Sequence, residues 1–400
     1  MFGFFGKQRV YLDYASAPPV RKEALRAMRE AEGLFGNPGA IHAEGVAAKE
    51  ALEHARIVIA SILGSKPREL VFTSGLTEAN NLAILGYAKG LERIRRTLKG
   101  THWIASAIEH DSVLGCFADI ERQGGDVSYA APNEHGIVTP EEVQRLLKPE
   151  TVFVSVSWAN NEIGTVQPLA KIARVLRAHE KSHGSSIAFH ADAGQGPLYL
   201  PTVVHSLGVD LLSLGSNKLY GPHGIGALFL DQRSLAGKLA GIILGGSQES
   251  GLRAGTENAA LALGFAAAFE CVAHERESES KRLTELRDTL AHELSERIPG
   301  LIVNGDIEHA LPHMLNISIP NISSEYIVLA IDRAGIAIST KSACREGEDA
   351  SHVVAALRGE EWRARNTLRV SLGKNTQKSD ISRTAHEITK VVEAYPAFKH

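Results

Sequence analysis

Short, mainly apolar runs of four to seven residues recur along the first two-thirds of the chain. Longer stretches separate them, in which apolar positions return every three or four residues. Residues 70–74, 102–107, 151–157, 186–190, 211–214 and 225–230 are of the first kind. Continuous, β-branched runs of this length predict strands covered on both faces. Residues 77–88, 140–147 and 169–179 are of the second kind and predict helices. Strand–helix alternation means right-handed crossovers and a mainly parallel sheet, so the chain is predicted to be α/β. The pattern changes after Thr256. Residues 259–273 are rich in Ala, Leu and Phe, and 275–296 form a strongly charged amphipathic stretch, together a long helical bridge. Beyond it, 314–319, 336–339 and 367–371 read as short strands with helices between, a smaller α+β domain.

Composition narrows the function classes. With 400 residues the chain has room for two to three domains and a sizeable core. Its 46 acidic and 43 basic residues leave a net charge of −3, without the basic excess of a nucleic-acid binder. No apolar run reaches the length of a membrane span, and the apolar opening through Lys7 is too short for a secretory signal. Three cysteines without paired spacing predict a reducing, cytoplasmic setting. No Cys or His spacing suggests a metal site.

Open α/β sheets bind ligands at the C-terminal ends of their strands, so the residues just past each run are the candidates. Ser74-Gly75-Leu76-Thr77-Glu78 places a glycine turn before a helix start, which suits either a phosphate or a simple helix cap. His110, Asn161, Asp192, Gln195 and Lys218 follow four further runs. One such residue alone is more often structural; four strands delivering polar groups to one rim are harder to explain that way. A partly desolvated lysine is a nucleophile toward carbonyls. Lys218 with a carboxylate, Asp192, to hold a pyridinium nitrogen, and a phosphate seat near Thr77, meets the minimal demand of pyridoxal 5'-phosphate.

These residues carry a resemblance. From Tyr11-Leu12-Asp13-Tyr14 to about Gly373 the chain resembles the class V aminotransferase-like cysteine desulfurases, in the branch that supplies iron–sulfur cluster assembly. The motifs run in order: Phe35-Gly-Asn-Pro38, Ser74-Gly-X-Thr-Glu78, Glu109-His110, Asn160-Asn-Glu-Ile-Gly164, His190-X-Asp192-X-X-Gln195, Lys218-X-Tyr-Gly-Pro222, Arg253-X-Gly-Thr256, Ser342-Ala-Cys344 and Arg369-X-Ser-Leu-Gly373. The resemblance implies a fold type I pyridoxal-phosphate transferase. Residues 15–260 would be its large cofactor-binding domain and 261–400 a small domain carrying the cysteine loop, with residues 1–14 an N-terminal segment that joins the small domain.

The resemblance also implies roles. Lys218 would carry the cofactor as a Schiff base and act as the base at the substrate Cα. Asp192 would pair with the pyridine nitrogen, and His110 would stack on the ring and shuttle protons. Asn161 and Gln195 would bond ring substituents, Asn161 also contacting the substrate. The phosphate would lie on Leu76, Thr77, Gly215, Ser216 and Asn217, and on Thr256 of a second subunit. Arg369 would clamp the carboxylate of L-cysteine. Cys344, flanked by Lys341 and Arg345 in a long polar loop, would take the sulfur as a persulfide and release L-alanine. The implied partners are a second copy of the chain and a sulfur-acceptor protein, such as an iron–sulfur scaffold or sulfur carrier. Neither nucleic acid nor membrane is expected.

Several residues depart from the pattern. Gly215 and Asn217 stand where a serine and a histidine usually hold the phosphate, although Ser216 and Asn217 can still donate hydrogen bonds. Thr340-Lys341 replaces small residues before Ser342, and only 31 residues follow Arg369, fewer than the tail many relatives use on the cluster scaffold. Cys116 and Cys271 read as inert helix-core positions. Two other readings stay open: a selenocysteine lyase or other class V lyase or transaminase, and a non-catalytic relative serving as an interaction platform.

Overall fold

The computed structural model describes residues 9–95, 97–235, 237–340 and 350–395. After a two-residue strand β1 (Val10–Tyr11) come the seven strands of the main sheet. These are β2 (Leu70–Thr73), β3 (His102–Ser106), β4 (Asp126–Ala130), β5 (Thr151–Ser155), β6 (Ala188–Asp192), β7 (Leu211–Gly215) and β8 (Gly226–Leu230). Their spatial order is β2-β8-β7-β6-β5-β3-β4. β7, β6, β5, β3 and β4 run parallel, whereas β8 is antiparallel to both β7 and β2. The exception has a cause in chain length. Residues 216–225 are too few for a crossover, so β8 can only return beside β7 in the opposite sense.

Every residue of β2, β3, β5, β6, β7 and β8 is buried, as continuous apolar runs require. β4 was not foreseen. It is an edge strand with only one of its five residues buried, and Asp126 and Ser128 interrupt its apolar character. On one face of the sheet Trp103 stacks on Phe153 at 5.1 Å, with Tyr87 and Phe117 edge-on around them. The opposite face packs Phe189 and Phe229 in one cluster with Phe265 and Phe269.

Both textures after Thr256 belong to one unbroken helix, Ala259–Arg297, of 39 residues, about 60 Å long. Its first half packs on the helices Lys22–Glu30 and Ala43–Leu63, its second on Lys378–Ala394. The expected boundary at 260/261 therefore falls within a continuous helical turn. Past this helix lie β9 (Ile302–Val303), β10 (Met314–Ser318), β11 (Ile336–Ala337) and β12 (Thr367–Ser371). β12, β10 and β9 make an antiparallel sheet, and β1 pairs in parallel with β11. Asp13 bridges to Ser371, which draws the start of the described chain toward the cavity.

Cys116 is buried, and burial pushes its thiol up to about 12, so it is chemically quiet. Cys271 departs from its expected core position. It is only partly buried, on the side of the long helix that faces Arg21 and Glu275. Cys344, with Lys341 and Arg345, lies outside the described residues.

Candidate active site

A cavity of about 360 Å³ opens at the C-terminal ends of the parallel strands. Leu76, Thr77, His110, Asn161, Asp192, Gln195, Asn217, Lys218 and Arg369 line it together. Gly215 and Ser216 do not. Gly215 ends β7 against Leu76, where a Cβ would come within 3.0 Å of the Leu76 Cβ. Ser216 is fully buried, and its Oγ occupies the space that a Cβ on Gly221 would fill, 2.2 Å away. The Ser216 hydroxyl therefore faces the packing beneath the loop and not the cavity. Thr256 is exposed and also lies outside this lining.

Each side chain is held by local structure. Asp192 is the last residue of β6; its Oδ1 accepts from Gly194 N at 2.8 Å and its Oδ2 from Asn80 Nδ2 at 2.7 Å. His110 caps the helix Asp111–Arg122. Its Nδ1 accepts from Ser112 N at 3.1 Å, which puts the proton of the neutral ring on Nε2. Lys218 closes the short turn after β7, and its Nζ donates to the carbonyls of Ala15 at 3.0 Å and Ser16 at 2.7 Å. Gln195 Nε2 donates to Ala15 O at 3.0 Å, while its buried Oε1 has no described partner.

The first turn of the helix Leu76–Arg95 faces the cavity through residues 74–78. A helix start leaves backbone N–H groups that no intrahelical carbonyl reaches, a natural anion seat. The turn is closed from behind. Glu78 Oε2 accepts from Ser74 N at 2.8 Å, and Glu78 Oε1 takes Arg253 Nε at 3.0 Å. Burial disfavours the Glu78 carboxylate, but the bonds from Ser74 and Arg253 outweigh it and hold this carboxyl below its usual range.

Arg369 sits on β12 with 2% of its surface exposed. Its Nη2 donates to Asp13 Oδ1 at 2.9 Å and Ser16 Oγ at 2.6 Å, its Nη1 to Asn161 O at 2.9 Å, and its Nε has no described partner. Sequence reasoning missed the part of Ala15 and Ser16. They follow the Tyr11–Tyr14 motif directly, but nothing in a short Ala-Ser pair marks it as a contact for Lys218 and Arg369.

The model of the class-V aminotransferases matches residues 10–384. The chain belongs to this family, among its cysteine desulfurases. The cysteine desulfurase IscS of Dictyoglomus turgidum is 38% identical over 97% of this chain and 95% of its own length. The putative cysteine desulfurase IscS 1 of Bacillus subtilis is 36% identical over 96% and 99%. Among solved structures, a NifS-like protein superposes with a TM-score of 0.88 at 29% identity, covering 97% of this chain and all of its own. SspA in complex with cysteine superposes at 0.78 with 35% identity, covering 91% and 99%. The fold is that of the type I pyridoxal-phosphate enzymes, and cysteine desulfurases in general depend on that cofactor.

The residues of this desulfurase fit such a group. A lysine amine, a carboxylate ending a strand, an unpartnered amide oxygen on Gln195 and a helix start converge on one cavity. Gly194 keeps the floor open, since a Cβ there would come within 2.7 Å of Leu76 Cδ2.

Proposed function

We propose that this desulfurase binds pyridoxal 5'-phosphate in the 360 Å³ cavity and converts L-cysteine to L-alanine, passing the sulfur to Cys344. The observation that carries the reading is the convergence of Lys218, Asp192, His110 and the Leu76–Thr77 helix start with Arg369 on one cavity. When bound, the cofactor supplies an electron sink for negative charge at the substrate Cα. Lys218 would hold the cofactor through its aldehyde carbon, and its amine is placed to move the Cα proton. Asp192 holds a proton on the ring nitrogen, and its bonds from Asn80 and Gly194 keep it oriented. The N–H groups of the Leu76–Thr77 turn take the phosphate, with Asn217 beside them. Asn161 and Gln195 complete the polar lining. His110, with its proton on Nε2, exchanges protons with the substrate.

Arg369 binds the substrate carboxylate. Its Asp13 and Ser16 contacts fix the plane of the guanidinium, and a fork of N–H donors matches a carboxylate better than an ammonium does. The Cys344 thiolate attacks the substrate sulfur; the C–S bond breaks, an S–S bond forms, and the carbon skeleton leaves as alanine. L-Cysteine and a thiol thus become L-alanine and a persulfide, with no outside oxidant.

We read the working unit as a homodimer in which Thr256 of one copy reaches the phosphate of the other. Thr256 lies outside its own chain's cavity, and Phe35, Ile41 and Leu244 are 82%, 99% and 75% exposed, as a buried interface between copies calls for. Residues 1–14 and 261–400 are read as one unit about residues 15–260, in line with the β1–β11 pairing. The persulfide passes on to an acceptor protein such as an iron–sulfur scaffold or sulfur carrier. Among the described residues no helix is long and apolar enough to cross a membrane. Free Cys116 and Cys271 accord with a reducing cytoplasm.

Incubation of the purified holoenzyme with L-cysteine tests the reading. Alanine is expected in step with sulfide or persulfide, with one added sulfur mapped to Cys344 by mass spectrometry. No alanine overturns the activity, and alanine without sulfur on Cys344 overturns its acceptor role.

A further inference from the structure

Glu109 has no exposed surface. It follows β3 and precedes His110, so it lies under the cavity rather than in it. Its Oε1 accepts from Ser157 N at 2.5 Å, and its Oε2 is buried without a described partner. Its carbonyl accepts from His352 Nε2 at 3.0 Å. The titratable groups around it are Asp192 at the end of β6, His110 next in the chain and His352 from the helix His352–Ala356.

Glu109 and Asp192 form an unequal pair. Asp192 accepts two N–H bonds and borders the cavity; Glu109 accepts one and touches no solvent. Two neighbouring carboxyls resist a second negative charge, and the first goes to the better-solvated site. Burial, and next the charge of Asp192, push the Glu109 carboxyl up to about 8 against the opposing Ser157 N–H. Ser157 Oγ and Asn80 Oδ1 are both buried without a described partner, on residues already bonded to Glu109 and Asp192 respectively.

We propose that Glu109 is a positioning residue that acts through Asp192: it keeps a proton, leaves the negative charge of the cavity floor to Asp192, and releases that proton more readily when a cation occupies Asp192. The last clause rests on the reading of Asp192 as the partner of the cofactor's ring nitrogen. A cation there cancels the field that Asp192 exerts on Glu109, so the two occupancies are linked in both directions.

Infrared difference spectra of the full-length protein between about pH 6 and pH 10 follow the deuterium-sensitive C=O stretch of a protonated carboxyl, first without and then with pyridoxal phosphate. The expected band disappears with a midpoint near 8 and is absent from E109Q. In D192N the midpoint falls by about one pH unit or more. Loading with pyridoxal phosphate lowers the wild-type midpoint but leaves that of D192N unchanged. A wild-type protein without the band, or a midpoint that D192N does not move, overturns the inference. If D192N moves the midpoint and the cofactor does not, the carboxyl coupling stands and the assignment of Asp192 to the cofactor falls. The wild-type and D192N series do not depend on E109Q folding.

Discussion

The two sides of the cavity are held by different means. On one side Asp192 ends β6, and His110 and Lys218 follow β3 and β7, so the hydrogen-bonded ladder of a buried sheet sets their spacing. On the other side Arg369 also stands on a strand, β12, but its guanidinium is fixed by a strap of side-chain bonds to Asp13 and Ser16, partners 356 and 353 positions away in the chain. A ladder fixes backbone position whatever the side chain, whereas an ion pair fixes only the groups that form it. Changes on the sheet side should therefore remove chemistry and leave geometry intact. Changes on the strap side should loosen the grip on substrate and leave the chemistry intact.

The sharpest test of that contrast is Lys218→Ala. Its rate of alanine formation is expected to fall about a thousandfold or more with the circular dichroism spectrum unchanged. A loss smaller than tenfold would take Lys218 out of the chemistry. On the strap side, Arg369→Lys keeps the charge and loses the planar fork, so KM for L-cysteine should rise roughly 10- to 100-fold with a smaller change in kcat. A collapse of kcat at constant KM would break the comparison, because it would put Arg369 in the bond-making step.

Buried histidines set a common acid limit on stability. His190, between Ser155 and Ser213 in the sheet, and His313, with no described partner on either ring nitrogen, are both pushed down to about 3, chiefly by burial. The unfolded chain takes up their protons near pH 6.5 and the folded chain does not. The stability they contribute is complete above about pH 6.5 and is lost as pH falls toward about 3. Each site accounts for up to about 1.4 kcal/mol per pH unit in that window. Denaturant melts of His313→Gln should show a shallower acid limb than wild type. An equal slope would mean that His313 finds a proton-holding partner in the folded protein.

Asp13→Asn should have the smallest effect, a rise in KM of about threefold, because Ser16 Oγ and Asn161 O still hold the guanidinium. A larger loss would make the ion pair, and not the hydrogen bonds, the fastening of the strap.

The sheet side was legible in advance and the strap side only in part. Runs such as 211–214 announce themselves because a strand buried on both faces is mainly apolar, with its few polar side chains paired inside the sheet as Ser213 is with His190. The residues just past such runs are the ones that line the cavity. Lys218, Asp192 and His110 were found that way. Arg369 was assigned through its motif, but its fastening to Asp13 and Ser16 was not visible, since no local pattern links residues more than 350 positions apart. Boundaries moved for the same reason. The run at 186–190 became β6 at Ala188–Asp192, because pairing with β5 and β7 decides where a strand ends. Ser216 passed for a phosphate donor because a hydroxyl one position from the expected one looks equivalent in sequence; the space beside Gly221 turns it inward. Cys271 passed for core because an Ala- and Phe-rich helix conceals which of its faces meets solvent.

Periodicity alone was enough for the α/β class, for the mainly parallel sheet and for the strands whose ends line the cavity. Those properties follow from local burial, which each short segment records in its own residues. Tertiary packing decided which of those ends share one cavity, that Ser216 faces away from it, that Ala15 and Ser16 close it, and that Glu109 lies buried beneath Asp192. Distance between segments and access to water are properties of the assembled chain, so no single stretch of residues holds them.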